Sequence, residues 1–239
     1  MKIISRFQLL LEWAAKKSNI STRYMYNNLS YFADVIGPKK LVIDIGAGSS
    51  PYKKLFIFNY YVSLDIKGIG NIDIIGDAIH LPIKSGVADL ILCVEVLEHL
   101  KNPDSGISEI NRIMKDGGYS ILTTPFIKEV HETVDFYRLT EMCLQWLFKK
   151  NELSIKLLKK RGAIFSTICQ ILNEIPYQSL GGFQRKSTYT IKEFIRYAFA
   201  FLWYILLIPF AYIVPKFDHK DRLHNWTLGY DCLIVKKER

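Results

Sequence analysis

Apolar residues recur at helical spacing through Phe7 to Ala15 and again through Tyr24 to Val35, and Gly37 followed by Pro38 stops the second run. There the period changes. Short apolar segments at Leu41 to Ile45, Tyr61 to Asp65, Ile72 to Ile75, Ala88 to Val94 and Tyr119 to Thr123 read as strands, separated by helical patterns or polar turns. Between the last two of these strands, Asn102 is placed to cap a helix and Pro103 suits its first position. Ile107, Ile110 and Met114 share one face, Lys115 complements the last turn, and Gly117 ends it. A further helix begins near Thr140 and carries Met142, Leu144, Trp146 and Leu147, and strands follow at Leu153 to Leu158 and Gly229 to Val235. Strands alternating with helices imply a parallel sheet covered on both faces.

One stretch is more apolar than such a sheet requires. Tyr197 to Val214 holds eighteen residues without a charge, with Lys192 and Arg196 before it and Lys216 after it. It reaches the length and hydropathy of a membrane span, but a span would separate the last strand from its sheet. Two other readings compete: packing in a core or dimer interface, and an interfacial helix or shallow hairpin. The interfacial form would bend at Pro209 and place Trp203, Tyr204 and Tyr212 near lipid headgroups, with basic residues at its edges.

At 239 residues and 49% hydrophobic content, the chain has room for one α/β core and an appendage. Its four cysteines, Cys93, Cys143, Cys169 and Cys232, form no CxxC pair, and no histidine stands at metal-ligand spacing, so neither a metal site nor a disulfide framework is indicated. A reducing cytoplasm fits. The first apolar stretch is broken by Glu12 and lacks a small-residue cleavage site, so it reads as an amphipathic helix and not a signal peptide. The net charge of +9 is spread over doublets such as Lys53–Lys54 and Lys149–Lys150. Without a recognised motif or a basic patch interleaved with aromatics, nucleic acid is excluded as the partner, whereas an anionic membrane surface stays open.

Candidate chemistry gathers at the strand ends. The segment LVIDIGAGSSPY puts Asp44 in an apolar strand and Gly46 and Gly48 in the turn after it, where ligand atoms can approach bare backbone and the N–H groups of a following helix. Glycines also sit in such turns for geometric reasons alone. Asp65 ends the second strand, twenty-one residues beyond Asp44, where a carboxylate can accept from both ribose hydroxyls. Gly76, Asp77 and Ala78 follow the third strand and offer a carboxylate beside a backbone N–H, the pair an adenine edge needs, and Glu95 ends the fourth. Four acids at one sheet edge suit a cofactor that carries positive charge and would repel a pyrophosphate. Pro51, where a dinucleotide turn has its third glycine, argues the same way.

The ordered segments GAGSSP, LDI, GDAIHLP, DLILCVEVLEHL and EINRIMKDGGYSILTTP resemble the class I S-adenosylmethionine-dependent methyltransferases, in particular the group with an EVLEH segment. HETVDFYRLT resembles a subgroup associated with surface-glycan and lipid-linked sugar biosynthesis. The resemblance implies that Asp44, Gly46, Ala47 and Gly48 wrap the methionine part of S-adenosylmethionine, that Asp65 holds the ribose, and that Ile66 packs on the adenine. Asp77 with Ala78 would read the adenine edge, and Glu95 would lie near the methionine amino end. Ser50 departs from the fuller glycine pattern, which bears on local helix packing. His131 is the first candidate general base and His99 the second, each with a structural alternative: loop ordering with Asp135, or capping and packing beside Glu98. Tyr137 and Arg138 would hold a sugar or anionic acceptor, although Arg138 can equally pair with Glu132 or Asp135.

The expected fold class is therefore α/β: a doubly wound, Rossmann-like sheet of seven strands, the last antiparallel, with N-terminal helices and an apolar helical insertion before the last strand. Residues 1–239 are read as a single methyltransferase domain, with N-terminal helices at 1–38, the cofactor-binding core at 39–160, the insertion at 161–227 and the final strand at 228–239. The expected activity is O-methylation of a sugar on a glycolipid or polysaccharide, in the cytoplasm or on the inner face of the cell membrane. The alternatives are methylation of a quinone or other lipid ring, and a non-catalytic membrane scaffold. A membrane surface and a second copy of the chain stay open as partners.

Overall fold

In the computed structural model, which describes residues 2–68, 70–130, 133–182, 190–223 and 225–238 (side chains from residue 9 onward), seven strands form one sheet in the order β3-β2-β1-β4-β5-β7-β6. The strands are β1 (Lys39–Ile45), β2 (Phe58–Asp65), β3 (Ile74–Ile75), β4 (Ala88–Val94), β5 (Met114–Pro125), β6 (Leu153–Lys160) and β7 (Gly229–Lys236). The first five pair in parallel, and β7 runs antiparallel to both β5 and β6. The seven-stranded Rossmann-like sheet with an antiparallel last strand is the expected one. Strand order reverses between β1 and β4, so their carboxyl ends splay apart and open a crevice.

The chain divides into two compact units: Met25–Arg161 with Gly229–Arg239, and Met1–Tyr24 with Gly162–Leu228. In the first, the period of two along the strands sends alternate residues to opposite faces. Val42, Leu90 and Leu92 pack with Met25, Leu29 and Phe32 of α2 (Ile20–Ile36), while Ile43, Ile45, Ile91 and Cys93 pack with Ile107 and Ile110 of α3 (Pro103–Ile113) and Leu144 and Leu147 of α4 (Glu141–Lys150). Asn102 caps α3 by accepting from the Ser105 N–H at 3.3 Å, with Pro103 in the first turn.

That helix ends earlier than its sequence pattern predicts. It stops at Ile113, and Met114 already pairs with Ala88 in the sheet. The register then shifts before Leu90 meets Tyr119, so Lys115 to Gly118 form a bulge. Lys115 bonds Asp89 at 2.7 Å instead of the helix end. Gly117 has φ +73°, and a Cβ on Gly118 would lie 2.8 Å from the Lys115 carbonyl oxygen, so both glycines serve the bulge.

The second unit is helical: α1 (Lys2–Ser18), the first turn of α2, α5 (Ile164–Leu180), α6 (Ile191–Ile213) and a 3-10 segment, Val214–Lys220. Its helix starts are capped from a distance. Gln170 Oε1 accepts from the Ile20 N–H at 2.7 Å, and Asp218 accepts from the Ala163 and Ser166 N–H groups at 3.0 Å each. Thr190 and Glu193 form a capping box at the start of α6. The uncharged stretch is one continuous helix with Pro209 inside it, not a hairpin. Tyr204, expected near headgroups, is 1% exposed and packs with Leu11, Ala14, Tyr197 and Ala200.

Candidate active site

A cavity of about 690 Å³ opens at the carboxyl ends of β1, β2, β3 and β4. Each strand end contributes to its wall: Gly46, Gly48 and Ser49 after β1, Asp65 and Ile66 after β2, Gly76 to Ala78 after β3, and Glu95, Val96 and His99 after β4. Thr133 and Val134 close it from the loop after β5. The structure thus brings together Gly46, Gly48, Asp65, Ile66, Asp77, Ala78 and Glu95 at the strand ends, with His99, the second candidate base, on the same wall.

The glycine turn is fixed by its surroundings. Gly46 has φ +67°, and a Cβ there would stand 2.4 Å from Val96 Cγ2. Gly48 has φ +50° with open space over it, so ligand atoms have room to lie against its backbone. Asp65 holds the turn from the next strand: Oδ2 accepts from the Gly48 N–H at 3.0 Å and Oδ1 from the Lys67 N–H at 2.9 Å. Ile66 leaves an apolar side chain 66% exposed on the wall, a surface on which a flat base can stack. Asp77 Oδ1 accepts from the Ile79 N–H at 3.1 Å, which orients its carboxylate beside Ala78.

Asp44 and Ala47 are set back from the cavity wall. Asp44 is buried beneath the turn and accepts from the Tyr61 hydroxyl at 2.5 Å; burial pushes its carboxyl up to about 6, against the lowering from its hydrogen bonds with Tyr61 and Ser50. Ala47 is buried and donates its N–H to the Leu64 carbonyl at 3.0 Å.

Glu95 and Glu98 stand three residues apart and are handled in opposite ways. Glu95 has φ +55° and donates its own N–H to Thr123 Oγ1 at 3.0 Å, while Oε1 meets the Thr123 hydroxyl at 3.1 Å and Arg161 Nη2 at 2.8 Å. Burial would raise its pKa, but the Arg161 charge outweighs this and holds the carboxyl below its ordinary value. Arg161 is itself 1% exposed and bonds Asp231 through Nε at 2.7 Å, and Asp231 accepts from the Asn28 amide at 2.8 Å. Glu98 is fully buried with no hydrogen-bond partner among the described residues at either carboxyl oxygen, and burial, aided by the Glu95 charge, pushes it up to about 8. His99 joins the two features: Nδ1 lies 2.5 Å from the Val134 carbonyl oxygen, and Nε2 is 3.7 Å from Glu98 Oε1.

Sequence reasoning missed Arg161, Asp231, Asn28 and Thr123. The available signal was Asp231, a charge inside the apolar run GYDCLIV that can be buried only against a cation.

The expected acceptor residues sit elsewhere. Tyr137 donates its hydroxyl to the Lys101 carbonyl at 3.0 Å. Arg138 forms a two-pronged pair with Asp135 and donates to the Glu129 carbonyl at 2.9 Å. The carboxylate of Asp135 is nearly fully buried and takes that guanidinium, so both residues order the loop and neither lines the cavity. His131 and Glu132 lie outside the described residues. Among the described residues no cluster of metal-ligating side chains is present.

The wall fits S-adenosylmethionine. Among the described residues it carries the carboxylates of Asp65, Asp77 and Glu95 against one cation, Lys67, a balance that favours a sulfonium and an amino group over a phosphate. Open backbone at Gly48, an exposed apolar face at Ile66 and acids at the β2 and β3 ends follow the shape of a nucleoside joined to a charged amino acid. Glu95 keeps its carboxylate on this wall while bound to Arg161.

Residues 43–122 match a family described as methyltransferase domain. A curated protein of Methanocaldococcus jannaschii is 30% identical over 113 residues, covering 44% of this chain, which spans about half of that relative's length. Among solved structures, a SAM-dependent methyltransferase from Archaeoglobus fulgidus overlays 89% of this chain and 93% of its own, with a TM-score of 0.54 and 13% identity. Phosphoethanolamine N-methyltransferase 2 of Haemonchus contortus, solved with phosphomonomethylethanolamine and S-adenosylhomocysteine, overlays 89% of this chain and 53% of its own, with a TM-score of 0.50 and 14% identity. At such identities the likeness is one of fold, whereas the family match falls on the strand ends that build the cavity. Over the residues that build the cavity, the chain thus matches a methyltransferase domain, set on a fold that it shares with S-adenosylmethionine-dependent methyltransferases.

Proposed function

We propose that the protein methylates a hydroxyl of a sugar on a glycolipid or polysaccharide, in the cytoplasm at the inner face of the cell membrane. The observation that supports a hydroxyl acceptor is the fixing of His99 on the cavity wall. Its Nδ1 donates to the Val134 carbonyl oxygen, which orients the ring on the wall. When bound, S-adenosylmethionine supplies a methyl group already activated on a sulfonium. The chain's own work is then to align the acceptor oxygen in line with that methyl and to remove its proton. With the cofactor held, its sulfur would leave with the bonding pair as the methyl is handed over, and His99 Nε2 would take the hydroxyl proton. The carboxyl of Glu98 lies 3.7 Å from that nitrogen. A sugar on a lipid or polysaccharide is favoured by the resemblance carried by HETVDFYRLT.

The test is mass spectrometry of membrane lipids and glycans from cells with and without the protein. The expected difference is one methylene on a sugar; a methylated lipid ring in its place points to a quinone-type acceptor, and no methylated product overturns the reading. With the acceptor in hand, His99→Ala lowers kcat by roughly a hundredfold or more while S-adenosylmethionine affinity holds. If His131→Ala carries that loss and His99→Ala does not, the base is reassigned.

A further inference from the structure

We infer that the outward face of α6 is a docking face for an anionic lipid bilayer, on which the helix lies in the plane of the surface. The helix has its inward face already occupied: Tyr197, Ala200 and Tyr204 pack with Leu11 and Ala14 of α1, and Ala211 packs with Ile20, Cys169 and Leu228. A surface helix so anchored normally turns charges to solvent. Here Ile195, Phe199, Leu202, Leu206, Phe210 and Ile213 follow one another at steps of three and four, each between 49% and 68% exposed, with no polar residue among them. The face runs the length of a 23-residue helix, about 35 Å. It continues onto α5 through a groove that Phe199 and Trp203 share with Ile175.

The charges at its ends identify the occupant. Lys192 and Arg196 are exposed at the start of α6, and Lys216 and Lys220 are exposed just past its end. The acids nearby are engaged within the unit: Glu193 closes the capping box and Asp218 caps α5. An apolar strip with cations at both ends complements anionic headgroups over acyl chains. A second copy fits less well, because a two-fold contact through this face sets cations against cations whether the helices run parallel or antiparallel. A span across the bilayer is excluded by the packed inward face, where the Arg23 guanidinium donates to the Ala211 carbonyl and stacks 4.2 Å from the Tyr212 ring. The inference rests on the helical unit alone and stands whatever the acceptor is.

The experiment is flotation of the full-length protein with phosphatidylcholine vesicles, with and without phosphatidylglycerol, beside sedimentation velocity without lipid. The protein is expected to float with the anionic vesicles and to be released by salt. Leu202→Glu with Leu206→Glu should cut partition by roughly tenfold or more, and Lys216→Ala with Lys220→Ala by on the order of thirtyfold on anionic vesicles only. All variants are checked for an unchanged melting temperature and S-adenosylmethionine binding; should the glutamate pair fail to fold, Phe199→Ser with Phe210→Ser replaces it. The inference is overturned if the protein stays unbound on anionic vesicles, or if the glutamate pair binds like the parent. It is equally overturned by a dimer that the glutamate pair dissolves without any vesicle binding, since a second copy then covers the face.

Discussion

The sheet unit and the helical unit treat apolar surface in opposite ways. In β1, the neighbours Val42 and Ile43 point to opposite faces and each meets a packed layer, and the buried Arg161 is matched with Glu95 and Asp231. In α6, Tyr204 is 1% exposed, while Leu202 and Leu206 on the same helix face outward. Hydropathy therefore reports how much apolar surface a segment owns; only packing tells which part of it the protein has used. The first unit is finished against itself, and the second carries a surplus.

Substitutions that break this contrast should differ in size. Arg161→Ala strands Glu95 and Asp231 as buried acids, and urea denaturation should show a loss of about 3–5 kcal/mol. Tyr204→Ala empties a filled site in the helical unit and should cost about 3 kcal/mol by the same measurement. Gly46→Ala forces a Cβ onto Val96 at a positive φ; about 1–3 kcal/mol of stability should go, and calorimetric binding of S-adenosylmethionine with it. Glu98→Gln acts through pH. In the folded protein Glu98 keeps its proton to about pH 8, whereas unfolded it releases it near the ordinary carboxyl value. Its contribution to stability is thus full at acid pH and is lost as pH rises toward 8. The glutamine variant should lack that decline, melting on the order of ten degrees above the parent at pH 8 and close to it at pH 5. Smallest of all, Leu206→Gln on the outward face should change stability by no more than about 0.5 kcal/mol. A large loss there would mean that the face is packed after all.

The cavity was legible because strand ends can be read locally: Gly46, Gly48, Asp65, Asp77 and Glu95 each close an apolar run, and parallel pairing lines those ends up. The Arg161 network was not, because it depends on β6 and β7 meeting across seventy residues of chain. Gly117 looked like a helix stop, and a bulge consumes the same residue for the same φ. The orientation of α6 was hidden for a different reason: with no polar stripe, an all-apolar helix gives no sign of which side is inward. Arg138 was weighed with Asp135 as one choice among several, and burial of that carboxylate decided it.

The bond from the Gly48 N–H to Asp65 also has a spectroscopic consequence. A loop amide with open space beside it would trade its hydrogen with solvent within moments, but this one is tied to a carboxylate. Gly48 should therefore stand out as a protected amide in a turn. If ribose hydroxyls draw Asp65 toward themselves, that protection should fall as the nucleoside binds, turning one glycine into a reporter of cofactor arrival in deuterium exchange.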